Sequence, residues 1–203
     1  MLDSYLISAF LLTYYLHPIV FVIPRLRINK IILRFYEILL AIIGVWALIP
    51  GSVGAITFSI ICGIAYLHFM VLMTSPSFRY FKNFRLELYG WVKSLYHDKK
   101  PNILILLQTL KEELIWRSAF TSLCITIDIN KSMILVTGGI LFYFIHWSAK
   151  KRIVVLTEVE LLCFSMLTYF VYLELDTFMG AWAIHFIRNS FLHYHRDGDV
   201  VKT

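Results

Sequence analysis

Three short patterns in the C-terminal half of the chain hold the residues best suited to chemistry. The first is Glu112-Glu113-Leu114-Ile115-Trp116-Arg117, two adjacent carboxylates followed by an arginine. On a helix Glu113 and Arg117 share a face and can pair. Glu112 is turned about 100° from Glu113 and addresses a different neighbour. One carboxylate is then tied to the guanidinium, and the other is left for acid–base work on a bound molecule. The second pattern is Phe142…His146 and the third His185…Asn189. In each, the two residues are four apart and share a helix face. Glu112, His146, His185 and Asn189 are thus candidate catalytic residues, with Glu113, Arg117 and Phe142 supporting them. Interhelical hydrogen bonding alone would account for a Glu113–Arg117 pair. It would not account for two acids and two histidines on three successive elements.

The elements that must position these residues are long apolar runs. The 203 residues are 59% hydrophobic and only 16% charged, against about 45–50% and about 25% in ordinary soluble domains. This excludes a disordered chain, a coiled coil and an ordinary soluble α/β enzyme. Apolar runs cover 5–23, 31–48, 53–73, 101–127, 132–149, 153–173 and 177–191. Irregular backbone facing lipid would leave costly unmade hydrogen bonds, so runs of this length are expected to be helices. The expected fold is all-α: a polytopic membrane helix bundle of about seven transmembrane helices. Residues 1–203 are read as one membrane domain, with accessory spans over 1–73, an interfacial segment over 74–100 and catalytic spans over 101–195. The interfacial segment mixes Phe81, Phe84, Trp91 and Leu95 with Arg79, Lys82, Arg85 and Lys93, as suits a helix lying at a membrane surface.

Charge supports this layout. Lys plus Arg is 19 against 13 for Asp plus Glu, a net +6. Nucleic-acid binding is the bland reading of a basic chain, but these basic residues fall between apolar runs. Basic loops at 25–30, 79–100 and 150–152 alternate with weakly charged or acidic ones at 50–54, 128–131 and 174–176. The positive-inside rule then puts the N-terminus outside and the C-terminus in the cytoplasm. Cys62, Cys124 and Cys163 lie in apolar runs and argue against a disulfide framework.

The order EExxxR, FxxxH, HxxxN on successive apolar helices resembles the CPBP family of intramembrane proteases, also called Abi or type II CAAX prenyl endopeptidase-like. The resemblance covers about residues 111–189. It implies that Glu112, with His146, activates a water for attack on a peptide carbonyl, and that His185 and Asn189 stabilise the oxyanion. It implies a membrane-embedded or membrane-anchored protein or peptide as substrate, and a bacterial cytoplasmic membrane as location. No cofactor is favoured. An older reading of the family makes the acids and histidines zinc ligands, here Glu112, Glu113, His146 and His185. A non-enzymatic bacteriocin-immunity or regulatory protein of the same fold is the alternative function, and a small transporter with a proton relay is a third.

Other polar residues have plainer expectations. Arg34 and Glu37 are read as an intrahelical pair. Glu158 and Glu160 are expected to reach the interface or line a cavity. Arg188 is expected to neutralise a buried acid or meet a substrate carboxylate. His17-Pro18 is read as a kink.

Overall fold

A computed structural model of the chain describes Leu12 and residues 30–46, 51–74, 79–97, 99–148 and 155–200. The described elements are helices: α1 Lys30–Trp46, α2 Val53–Thr74, α3 Arg79–His97, α4 Lys99–Glu113, a π-helical turn Leu114–Ala119, α5 Phe120–Thr126, α6 Lys131–Ser148, α7 Val155–Glu174 and α8 Phe178–Val200. The protein is all-α over these residues. The first apolar run and His17-Pro18 lie outside the described residues, as do most of the basic loops at 25–30 and 150–152.

Local chemistry explains the breaks. Gly51 has φ +81°, a conformation open to glycine at little cost. A Cβ there would also strike Thr177. The Ser52 hydroxyl accepts from the Ala55 amide at the head of α2, and Asn130 Oδ1 accepts from the Met133 amide at the head of α6. Both satisfy donors that helix starts leave without partners. Within the helices, hydroxyls of Thr57, Ser59, Thr109 and Thr137 donate to carbonyls one turn back. Polar side chains are thereby satisfied without leaving an apolar helix surface.

The helices pack around α8, which contacts α2, α3, α4 and α7, while α1 lies on the π turn and α6 on α7. Around a buried apolar core that includes Leu67, Phe120, Phe164 and Phe191, several charged groups are also buried and several large apolar side chains face outward. Glu113, Arg117, Glu160, Thr168, His185 and Arg188 are buried, while Ile38, Ile42, Phe58, Ile61, Leu104 and Val136 are exposed.

Two expectations change. Among the described residues, no helix is long and apolar enough to cross a membrane, so the seven spans do not stand out as such. Run 101–127 shows one reason: Lys111, Glu112, Glu113 and Arg117 interrupt it, and it divides into α4, the π turn and α5. The run expected to end near Phe191 continues as helix to Val200. Docking of α3 accompanies that extension: Trp91 is buried, its indole N–H donates to Ser190, and its ring meets Phe191 edge-on. Glu37 meets Lys111 of α4 at 2.9 Å, and the pair expected between Glu37 and Arg34 falls on a side chain outside the described ones.

Candidate active site

The centre is built on α4, the π turn, α6 and α8. Glu112 Oε2 stands 3.4 Å from His146 Nε2 and 3.5 Å from His185 Nε2. Its other oxygen accepts from Gln108 one turn back at 3.0 Å. The three elements that carry the sequence patterns therefore do bring Glu112, His146 and His185 to one point.

Each histidine is fixed through its other nitrogen. His146 Nδ1 is 2.9 Å from the Phe142 carbonyl, one turn back on α6. Only an N–H can meet a carbonyl oxygen this way, so Nδ1 carries the hydrogen and Nε2 faces Glu112. The spacing FxxxH thus has a geometric use beyond the ring contact. His185 Nδ1 is 2.7 Å from Glu113 Oε1. An ionised carboxylate only accepts, so this nitrogen also carries a hydrogen and again leaves Nε2 toward Glu112.

Glu113 does more than pair with Arg117. Its Oε1 lies 3.4 Å from Arg117 Nη1 but only 2.7 Å from His185. Arg117 is fully buried. Its guanidinium donates to the Thr168 hydroxyl and lies 3.8 Å from the Phe142 ring centroid and 4.8 Å from that of Tyr169. Aromatic faces stabilise a cation removed from water. The Phe142 ring also lies 4.2 Å from the His146 ring and 5.8 Å from that of His185. Phe142 therefore touches three of the charged or titratable groups at once.

The π turn explains how these parts fit. The Phe120 amide donates to the Ile115 carbonyl five residues back. Two partners from distant helices meet the turn: the Tyr169 hydroxyl of α7 donates to the Trp116 carbonyl, and the Ser118 hydroxyl donates to the Gly44 carbonyl of α1. Gly44 is needed for that approach, since a Cβ there would come within 2.2 Å of the Leu114 carbonyl oxygen. Single π turns inside α-helices are frequent at functional sites.

Asn189 is placed differently. It lies one turn beyond His185, and its Oδ1 accepts from Arg188 Nη1 at 3.1 Å. No hydrogen bond or ion pair among the described residues ties it to Glu112, His146 or His185. Arg188 forms a two-pronged pair with Glu160, Nε to Oε1 and Nη2 to Oε2, each at 2.7 Å. Tyr66 of α2 donates to the same carboxylate. Glu160 is thus buried and bonded rather than turned to an interface, and Arg188 neutralises a buried acid. The sequence carried the charges but no sign of Tyr66, which lies 94 residues from Glu160.

Among the described residues, no group of three or more His, Cys, Asp or Glu side chains is arranged to hold a metal ion. Within the expected zinc set, Glu113 already engages His185 and Arg117.

Fold and site together define a class, an all-α bundle with a buried carboxylate–histidine centre. Residues 102–191 match the family described as type II CAAX prenyl endopeptidase Rce1-like, a match that supports a CAAX-protease-like family for this part of the chain. The match runs from α4 into α8 and includes Glu112, Glu113, Arg117, Phe142, His146, His185 and Asn189. No curated protein and no solved structure matches the chain.

Proposed function

We propose that the chain is an intramembrane endopeptidase that cleaves a membrane-anchored protein or peptide with a water activated by Glu112 and His146. The observation that carries this is the convergence of Glu112 Oε2 on two histidine Nε2 atoms, 3.4 and 3.5 Å away. Glu112 Oε2 accepts, and so does His146 Nε2 when the hydrogen of that ring sits on Nδ1. A water among them directs its hydrogens at acceptors and keeps an oxygen lone pair for attack. As that oxygen bonds to the peptide carbonyl carbon, Glu112 takes its proton and later returns it to the leaving amine. The oxyanion is met by the Asn189 amide and by the Nε2–H of a doubly protonated His185 ring, which keeps both of its ring protons throughout the cycle. Glu113 faces the opposite nitrogen of that ring and balances the charge. Preorganised donors of this kind are worth about 2.7–4 kcal/mol each.

The membrane setting draws on the buried charges Glu113, Arg117, Glu160 and His185 within an otherwise apolar core, and on the outward-facing Ile38, Ile61, Leu104 and Val136. Ionisable groups inside a membrane bundle face its interior, where they mark functional sites. The reading places the chain in a bacterial cytoplasmic membrane, N-terminus outside and C-terminus in the cytoplasm. The family's name makes prenylated CAAX peptides the first substrates to try.

The test is cleavage by the full chain reconstituted in liposomes. A farnesylated CAAX peptide and a panel of unprenylated peptides serve as probes, with products read by mass spectrometry. Wild type cuts at least one probe, and Glu112→Gln, His146→Ala and His185→Ala do not. Equal cutting by all four proteins overturns the assignment. Undiminished activity after treatment with a strong chelator supports the metal-free form, and loss restored by added zinc overturns it.

A further inference from the structure

We infer that Arg188, clamped by Glu160 and Tyr66, is a positioning residue that decides which end of the Asn189 side-chain amide faces the reaction centre. The inference rests on the proposed role of Asn189 as an oxyanion donor.

The starting observation is a contact that a helix does not ordinarily make. Side chains at adjacent positions point about 100° apart and do not face each other. Yet Arg188 Nη1 lies 3.1 Å from Asn189 Oδ1. Something must turn the arginine back along its own helix. Glu160 of α7 supplies that constraint, since both of its oxygens are engaged, by Nε and Nη2 at 2.7 Å each. A two-pronged pair fixes the plane of a guanidinium as well as its position. The Phe164 ring covers one face of that plane, 4.5 Å from the guanidinium carbon. The Tyr66 hydroxyl donates to Glu160 Oε1 and to the Glu160 backbone carbonyl, which holds the carboxylate in turn. Three helices, α2, α7 and α8, thus set one guanidinium, and the nitrogen left over points at Asn189.

The chemical effect follows from the asymmetry of an amide. Oxygen accepts and nitrogen donates, and the two ends are otherwise alike in shape. A guanidinium N–H admits only the oxygen beside it. Asn189 therefore turns its NH₂ away from Arg188, with both hydrogens available to a developing negative charge. The cation also withdraws electron density from the amide carbonyl and strengthens its N–H groups as donors. Burial makes the arrangement hard to lose, because Glu160 is 1% exposed, Tyr66 7% and Arg188 8%.

The test uses the full chain in detergent micelles, with asparagine side chains labelled with ¹⁵N. Asn189→Ala identifies the Asn189 NH₂ signals. The Glu160→Gln/Arg188→Met double variant removes the clamp without leaving a buried charge unpaired, and Tyr66→Phe loosens it. In wild type the two Asn189 N–H resonances are expected well apart and displaced from those of the other asparagines. In the double variant they move toward the others, with the remaining spectrum unchanged, and Tyr66→Phe gives a smaller movement in the same direction. Signals unmoved in the double variant overturn the inference, whether or not any peptide is cleaved. With a cleaved probe in hand, the double variant lowers kcat about 10- to 100-fold with KM little changed, and adds nothing to the loss already caused by Asn189→Ala. Full additivity overturns the inference. Displaced wild-type signals that collapse in the double variant, with no probe cleaved by wild type, uphold the positioning role and count against the protease reading alone.

Discussion

The protein buries two arginine–glutamate pairs, and they are built to opposite standards. Arg188 and Glu160 meet through two 2.7 Å bonds, and the carboxylate takes a further donor from Tyr66. Arg117 and Glu113 approach only to 3.4 Å. Around that second pair, Arg117 Nε and Nη1, Glu113 Oε2 and Glu112 Oε2 have no hydrogen-bond partner among the described residues. A buried pair is stable only when its remaining donors and acceptors are met. The first pair meets that condition and serves as a fixture. The second leaves polar groups less fully bonded at the place where Glu112 and two histidines converge, which accords with the role proposed for that centre.

The contrast can be broken in a definite order. Glu112→Gln keeps the shape of the side chain but removes its basicity. Cleavage of a probe peptide should fall by about 10²–10⁴-fold with melting behaviour little changed, the range for loss of a general base. Cleavage that survives Glu112→Gln would remove the functional side of the comparison. Glu160→Ala strands Arg188 in a dry interior and should lower unfolding stability by about 3–5 kcal/mol in a denaturant titration. Glu113→Gln should cost less than half of that, because its arginine is already poorly paired. Equal losses at the two sites would erase the distinction. Gly44→Ala drives a methyl against the Leu114 carbonyl and should cost about 1–3 kcal/mol, as overpacking does. Activity should fall further than stability alone explains, because the π turn carries Arg117. Smallest is Tyr169→Phe, which removes one donor from the Trp116 carbonyl and should cost about 1 kcal/mol, read as a shift in melting temperature.

These two centres also differ in how far the sequence discloses them. The spacings that bring Glu112, Phe142, His146 and His185 together are short and repeat the helical period, so one-dimensional reading finds the faces involved. The helix order follows from apolar runs and turn residues such as Pro50-Gly51. The π turn is hidden, because the partners that meet its carbonyl and hydroxyl groups, Gly44 and Tyr169, lie far away in the chain. Tyr66, Glu160 and Arg188 are individually visible, but their meeting depends on how α2, α7 and α8 cross. Charge within apolar runs misleads in one respect. It marks the site, yet it also lowers the apolarity of run 101–127, so counting spans by run length alone overstates how apolar the helices are.

One consequence of the packing about α8 remains. His185 answers to α4 through Glu112 and Glu113, while Arg188, three residues on, answers to α7 through Glu160. Both are teeth on a single gear. A register slip of one residue between them would turn the later tooth by about 100°, disengaging one mesh while the other stayed closed. The segment His185-Phe186-Ile187-Arg188 is therefore a length standard for the whole bundle. Substitutions at Phe186 or Ile187 keep this spacing, but a single-residue insertion or deletion between His185 and Arg188 does not.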